Sequence, residues 1–206
     1  MQEKDIYSEL NSIRNLMERS AKFISLSGLS GILAGVYALI GAGLGYYVVY
    51  GTSGDLDYRD HYVNDEAVIL QLFLIAVVVL VLSLTTGILL TVRKAKSKGE
   101  TVWNPSSKKL LVNMAIPLVT GGILILILLY RGYFGIIAPA TLIFYGLALV
   151  AGSHYTVTDV KWLGIYEIVL GLIAACLPGF GIVFWTIGFG VLHIIYGSIM
   201  HFRYDR

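Results

Sequence analysis

The chain has 206 residues, 57% of them hydrophobic and 14% charged, and a net charge of +2 at neutral pH. Soluble domains carry about 25% charged residues, so this composition, with a mean hydropathy of +0.77, excludes a soluble fold and points to an integral membrane protein. The small net charge, with basic residues set at membrane edges rather than in one patch, gives no support to nucleic-acid binding.

The N-terminal segment mixes acidic and basic residues and lacks a short apolar core followed by a small-residue cleavage site, so no cleaved signal peptide is expected. Within it Ile6, Leu10, Ile13 and Met17 recur at the spacing of one helical face, with Arg14 and Glu18 on the polar side. This predicts an amphipathic cytoplasmic or interfacial helix over 1–21. The same spacing is a two-heptad seam, so pairing with a second copy is an alternative to lying on the membrane or under the bundle.

The first span, about 23–50, contains two small-xxx-small pairs, Gly31 with Gly35 and Gly41 with Gly45. Such pairs let another helix backbone approach closely, either from the same chain or in a homo-oligomer. An acidic loop follows, with Asp55, Asp57, Asp60, Asp65 and Glu66 against Arg59 and His61. Its spacing departs from the EF-hand pattern, which favours a solvated loop over a calcium site. The second span, about 67–92, carries Ser83, Thr85 and Thr86 near its inner end, where their hydroxyls can bond carbonyls one turn back.

Arg93, Lys94, Lys96, Lys98, Lys108 and Lys109 then crowd one short loop, which the positive-inside rule retains in the cytoplasm. With six spans, 13 of the 15 basic residues fall on that side and only Arg59 and Arg131 outside. Both termini are accordingly placed in the cytoplasm of a multi-pass protein of the cell (inner or plasma) membrane. The third span, about 110–130, contains Pro117 followed by Gly121 and Gly122, and the fourth, about 134–151, contains Pro139; kinks are expected there. A short loop with His154 and Asp159 leads to the fifth span, about 161–178, and a Pro178-Gly179 turn to the sixth, about 181–200. Single Cys176 lies in an apolar segment, so no intrachain disulfide and no thiolate cluster can form. The predicted fold is all-α: six transmembrane helices in three hairpins over 22–206, preceded by the amphipathic helix.

Two outer turns begin alike, Phe134-Gly135-Ile136 and Phe180-Gly181-Ile182, and the helices after them end in Gly152-Ser153-His154 and in Gly197-Ser198 with His201 beyond. This suggests hairpin duplication, with repeats related by an axis along the membrane normal. The last hairpin, where Gly164 and Gly171 precede the Pro178-Gly179 turn and Gly188 and Gly197 follow it, resembles the short repeat of the HdeD-like six-span membrane proteins. That resemblance implies a six-span fold and a link to acid-stress resistance, in a family without a generally established biochemical activity. The chain departs from it in the N-terminal helix, the acidic first loop and a second hairpin turn without proline.

Two ionisable groups stand inside the last hairpin. Glu167 lies about 9 Å along the helix from Lys161, and His193 about 12 Å from His201, so both are expected in the cytoplasmic third of the membrane and within reach of each other. Asn113, Tyr166 and Tyr145 are candidates for the same pocket. Intramembrane ionisable groups cost about 2.5–3.5 kcal/mol each on insertion scales, so they need a partner or a cavity. A Glu–His contact is a charged pair if solvated and a neutral hydrogen-bonded pair if dry, which makes its proton occupancy responsive near neutral pH.

Three readings follow: a structural pin for the hairpin, a proton-responsive site in a small transporter or channel, and a metal or enzyme site drawing on His154, His193, His201 and Glu167. The last has little behind it, because HExxH spacing, a serine-histidine-aspartate set, a phosphate loop and a facing histidine pair for haem are all missing from the sequence. No catalytic residue and no cofactor is therefore assigned, and the lipid bilayer is the one expected partner beyond a second copy of the chain.

Overall fold

A computed structural model describes residues 27–51, 66–99 and 101–205, so the amphipathic segment 1–21 and the acidic loop lie outside the described residues. Six helical rods follow in order: α1 (Gly28–Tyr50), α2 (Glu66–Ser97), α3 (Pro105–Tyr130), α4 (Ile137–Gly152), α5 (Asp159–Cys176) and α6 (Gly181–Asp205). Short 3-10 turns, Phe134–Ile136 and Ser153–Tyr155, lengthen α4 at both ends, and there is no strand among the described residues. Five of the rods, all but α5, are long and apolar enough to cross a membrane. The 18 residues of α5 include Asp159, Lys161 and Glu167.

The burial pattern is that of a protein dissolved in lipid. Leu70, Val78, Leu80, Ile88 and Leu89 on α2, and Ile116, Val119, Ile123 and Leu126 on α3, face outward, while Glu167 and His193 are buried. In water that distribution would expose far more apolar surface than a monomer tolerates; against acyl chains it costs nothing.

Local chemistry sets the helix ends. Asn104 caps α3: its side chain accepts from the Ser107 N–H at 2.8 Å while Ser107 Oγ accepts from the Asn104 N–H at 2.9 Å, and Pro105 occupies the first helical position. The helix thus starts five residues before the expected 110, and Lys108 and Lys109 belong to its first turns. α2 likewise runs on to Ser97, placing Arg93, Lys94 and Lys96 on the helix rather than in a loop. α3 continues through Pro117. Pro139 sits in the first turn of α4, where its missing N–H removes no helical hydrogen bond, so it gives no reason for a kink. The marked irregularity lies elsewhere: α6 is α-helical over Gly181–Trp185, π-helical over Thr186–Leu192, α-helical over His193–Met200 and π-helical again over His201–Asp205.

Two crossings hold the bundle, and glycine makes both. α5 packs most extensively on α4, and α6 on α1, rather than α5 on α6 as a tight hairpin. At the first crossing a Cβ on Gly146 would lie 2.6 Å from the Gly164 carbonyl and 2.9 Å from the Ile168 amide. At the second a Cβ on Gly35 would lie 2.7 Å from the Gly190 carbonyl and 2.9 Å from the Ile194 amide, and Gly31 faces Gly197. Gly41 meets Val79 of α2, and Gly45 meets Ile182 and Leu72. All four glycines singled out in the first helix therefore face their own chain.

One end of the bundle is tied by charge. Asp205 accepts from the Gly28 amide at 2.9 Å and pairs with Lys94 Nζ at 2.6 Å and His201 Nδ1 at 3.0 Å. Asp159 pairs with Arg203 at 3.1 Å and accepts from the Tyr204 hydroxyl at 2.9 Å. The starts of α1 and α5 and the ends of α2 and α6 therefore share this end.

Backbone contact at Gly146 leaves no room for a methyl. Gly146→Ala is expected to cost about 1–3 kcal/mol by forcing α4 and α5 apart. Gly43→Ala, whose Cβ would meet nothing within 4 Å, should be neutral or stabilise by roughly 0.5–1 kcal/mol. Thermal melts in detergent check the pair, and equal effects would contradict the packing.

Candidate functional site

Three helices contribute one polar group each to the middle of the bundle. Glu167 is the ninth residue of the 18 in α5, and His193 is the thirteenth of the 25 in α6. Tyr145 is the twelfth of the 22 residues from Phe134 to Tyr155. Each stands near the midpoint of its helix, because α5 begins before Lys161 and α6 runs past Met200.

His193 joins the set. Its Nε2 is 2.8 Å from the Tyr145 hydroxyl, its Nδ1 is 3.0 Å from the Gly188 carbonyl, and the same Nδ1 is 3.4 Å from Glu167 Oε1. A carbonyl only accepts, so Nδ1 carries a hydrogen, and in the neutral ring Nε2 then accepts from the Tyr145 hydroxyl. An aromatic column supports the ring: Trp185 lies 5.1 Å from Phe189, and Phe189 stacks on His193 at 5.8 Å, each one turn from the next. Tyr145 crosses against both Phe189 and His193.

Glu167 is the anomaly. It is 0% exposed, and neither carboxyl oxygen has a hydrogen-bond partner among the described residues. The His193 Nδ1, 3.4 Å from Oε1, has its hydrogen closer to the Gly188 carbonyl at 3.0 Å. Glu167 is held by shape instead: Oε2 lies against Gly188, where a Cβ would come within 2.5 Å of it and 2.6 Å of Leu142 Cδ2. A buried ionised carboxylate without donors carries a penalty of several kcal/mol, so Glu167 either holds a proton or draws on the one at His193.

The other candidates stand apart. Asn113 donates to the Lys109 carbonyl at 2.8 Å, one turn back on α3, so it satisfies its own helix and does not enter the pocket. Tyr166 precedes Glu167 and therefore points elsewhere; it is 49% exposed and pairs loosely with Tyr196. His154 is exposed, and His201 bonds Asp205 at the end of α6. His154, His193, His201 and Glu167 do not converge, and no group of three or more His, Cys, Asp or Glu among the described residues could hold a metal ion.

Sequence reasoning missed Gly188 and the π-helical segment that ends just before His193. Gly188 was visible only as one of several glycines in the last helix, and its role depends on a neighbour 21 positions earlier in the chain. Comparison with protein-family models, curated proteins and solved structures finds no match.

An unsatisfied buried carboxyl lowers stability. Glu167→Leu, of similar length and apolar, is expected to raise stability in detergent by about 1–4 kcal/mol. A loss of that size would instead identify Glu167 as a structural pin.

Proposed function

We propose that the protein is a small proton-linked permeation or coupling unit of the cell (inner or plasma) membrane, with Glu167 and His193 as its proton-binding pair and Tyr145 beside them. The observation that carries this reading is Glu167 itself: sealed from solvent, at the midpoint of its helix, without a hydrogen-bond donor of its own. Intramembrane carboxyls that serve only structure are satisfied by neighbours, and those that serve proton pathways must be able to take and release a proton. The π-helical segment beside His193 adds support, because such segments concentrate at functional sites.

In this reading all six rods cross the bilayer, paired as three hairpins. α5 spans about 27 Å at 1.5 Å per residue, and two of its charged groups, Asp159 and Lys161, stand in its first turn at the tied end. That end carries Arg93, Lys94, Lys96, Lys98, Lys108, Lys109, Lys161 and Arg203, whereas Arg131 stands at the other, which supports a cytoplasmic tied end and cytoplasmic termini. The glycine-proline pattern of the last hairpin, with its resemblance to the HdeD-like proteins, supports a role in acid stress, where proton movement across the membrane is the relevant chemistry. A second reading, a structural or stress-related membrane protein without transport, is favoured by one observation: both ring nitrogens of His193 are already bonded inside the fold.

Proteoliposomes under a pH gradient separate the two. The native protein is expected to dissipate the gradient faster than empty liposomes, and Glu167→Gln and His193→Ala to slow it by about tenfold or more while remaining folded. No flux above empty liposomes would leave the structural reading. Orientation is tested by a cysteine placed in the turn opposite the tied end. Tyr133, between α3 and α4, is exposed, so Tyr133→Cys on a Cys176→Ser background should be labelled by a membrane-impermeant maleimide in intact cells; labelling only after lysis would reverse the topology.

A further inference from the structure

The proton site has two sides, and they differ. On the Nε2 side of His193 stands Tyr145, which is half-buried and packs against the apolar cluster of Leu149, Val157, Val160, Leu163 and Met200 near the tied end. On the Nδ1 side stand Glu167 and the Gly188 carbonyl, walled by Leu142. The imidazole thus bridges a phenol on α4 and a carboxyl on α5, at 2.8 and 3.4 Å. Among the described residues no other titratable group bonds to or stacks on the ring: α1 presents Gly31 and Gly35 to this stretch of α6, and Phe189 and Trp185 are apolar.

We infer that Tyr145, His193 and Glu167 form an ordered proton relay, in which the tyrosine hydroxyl is the exchange point, the imidazole the carrier and the glutamate carboxyl the store. This rests on the proton-linked reading above and assigns its order of transfer. A proton donated to the Tyr145 oxygen by water or hydronium displaces the hydroxyl proton onto Nε2, and the resulting imidazolium releases its Nδ1 proton to the Glu167 carboxylate. One O–H and one N–H bond break, one of each forms along the chain, and the carboxyl gains the arriving proton; no oxidant or other reactant is required. The Nδ1 hydrogen has two acceptors within reach. In the resting ring it bonds the Gly188 carbonyl, which holds the donating tautomer, and it turns to Oε1 to be transferred; the ring is then left with its hydrogen on Nε2 and returns to the Nδ1 tautomer, which the Gly188 carbonyl favours, before the next transfer.

Tyr145→Phe keeps the ring and its packing on Phe189 and removes only the hydroxyl. In proteoliposomes this variant is expected to lose about tenfold or more of the native flux with its melting temperature within a few degrees of native. Native flux that survives Tyr145→Phe but not Glu167→Gln would overturn the relay and leave the proton-linked reading standing; absence of native flux would overturn both. Nitrogen NMR of His193 in the native full-length protein gives a reading independent of variant folding. The relay requires a hydrogen on Nδ1 and a bare, hydrogen-bonded Nε2 in the resting neutral ring, and the opposite tautomer would overturn it.

Discussion

Lipid removes the usual reward for burying apolar side chains, and the structure depends on the constraint left behind: polar groups inside the bundle must find their partners inside the bundle. The serines and threonines obey it cheaply. Thr85, Thr86, Ser153, Thr186 and Ser198 each return a hydroxyl to a carbonyl about one turn back, at 2.7 Å. His193 obeys it through Gly188 and Tyr145. Glu167 alone, among the buried side chains at the centre, is enclosed without being satisfied, and its neighbourhood makes sense as an arrangement that tolerates this. Gly188 vacates the space for the carboxyl, Leu142 closes it off, and the imidazole holds one transferable hydrogen at 3.4 Å.

The scaffold around that centre rests on close backbone approach rather than on large side chains. Glycines at the α4–α5 and α1–α6 crossings bring carbonyls and amides of facing helices to within contact of a would-be Cβ, which maximises dispersion contacts where hydrophobic burial offers nothing. Charge closes one end. Asp159 and Asp205 collect Arg203, Tyr204, Lys94, His201 and the first amide of α1 there. The opposite end carries no comparable network among the described residues.

How much of this was legible in the sequence varies with the physics involved. Apolar runs of span length give the helices directly, because lipid imposes a length and a polarity on each. The ends were less visible: α2 and α6 extend as charged helix, which hydropathy reads as loop, and α3 begins at a capping box formed by Asn104 and Ser107. Glu167 and His193 stood out as ionisable groups in apolar surroundings, and Tyr145 was among their candidate neighbours. Asn113 and Tyr166 misled because depth along a helix says nothing about azimuth; Tyr166 is adjacent to Glu167 and so faces away from it. The π-helical turn at Thr186–Leu192 and the accommodating role of Gly188 depend on contacts between helices and had no sequence signal of their own.

The account stands or falls on whether Glu167 exchanges a proton inside the folded protein. Infrared difference spectroscopy of the full-length chain in lipid, recorded across a pH change and referenced to Glu167→Gln, addresses that directly. A protonated-carboxyl stretch that appears and disappears reversibly with pH, and is absent from the variant, is the predicted result. A Glu167 signal that stays fixed over the whole pH range in which the protein remains folded would contradict the account and leave a buried carboxyl with no proton to pass on.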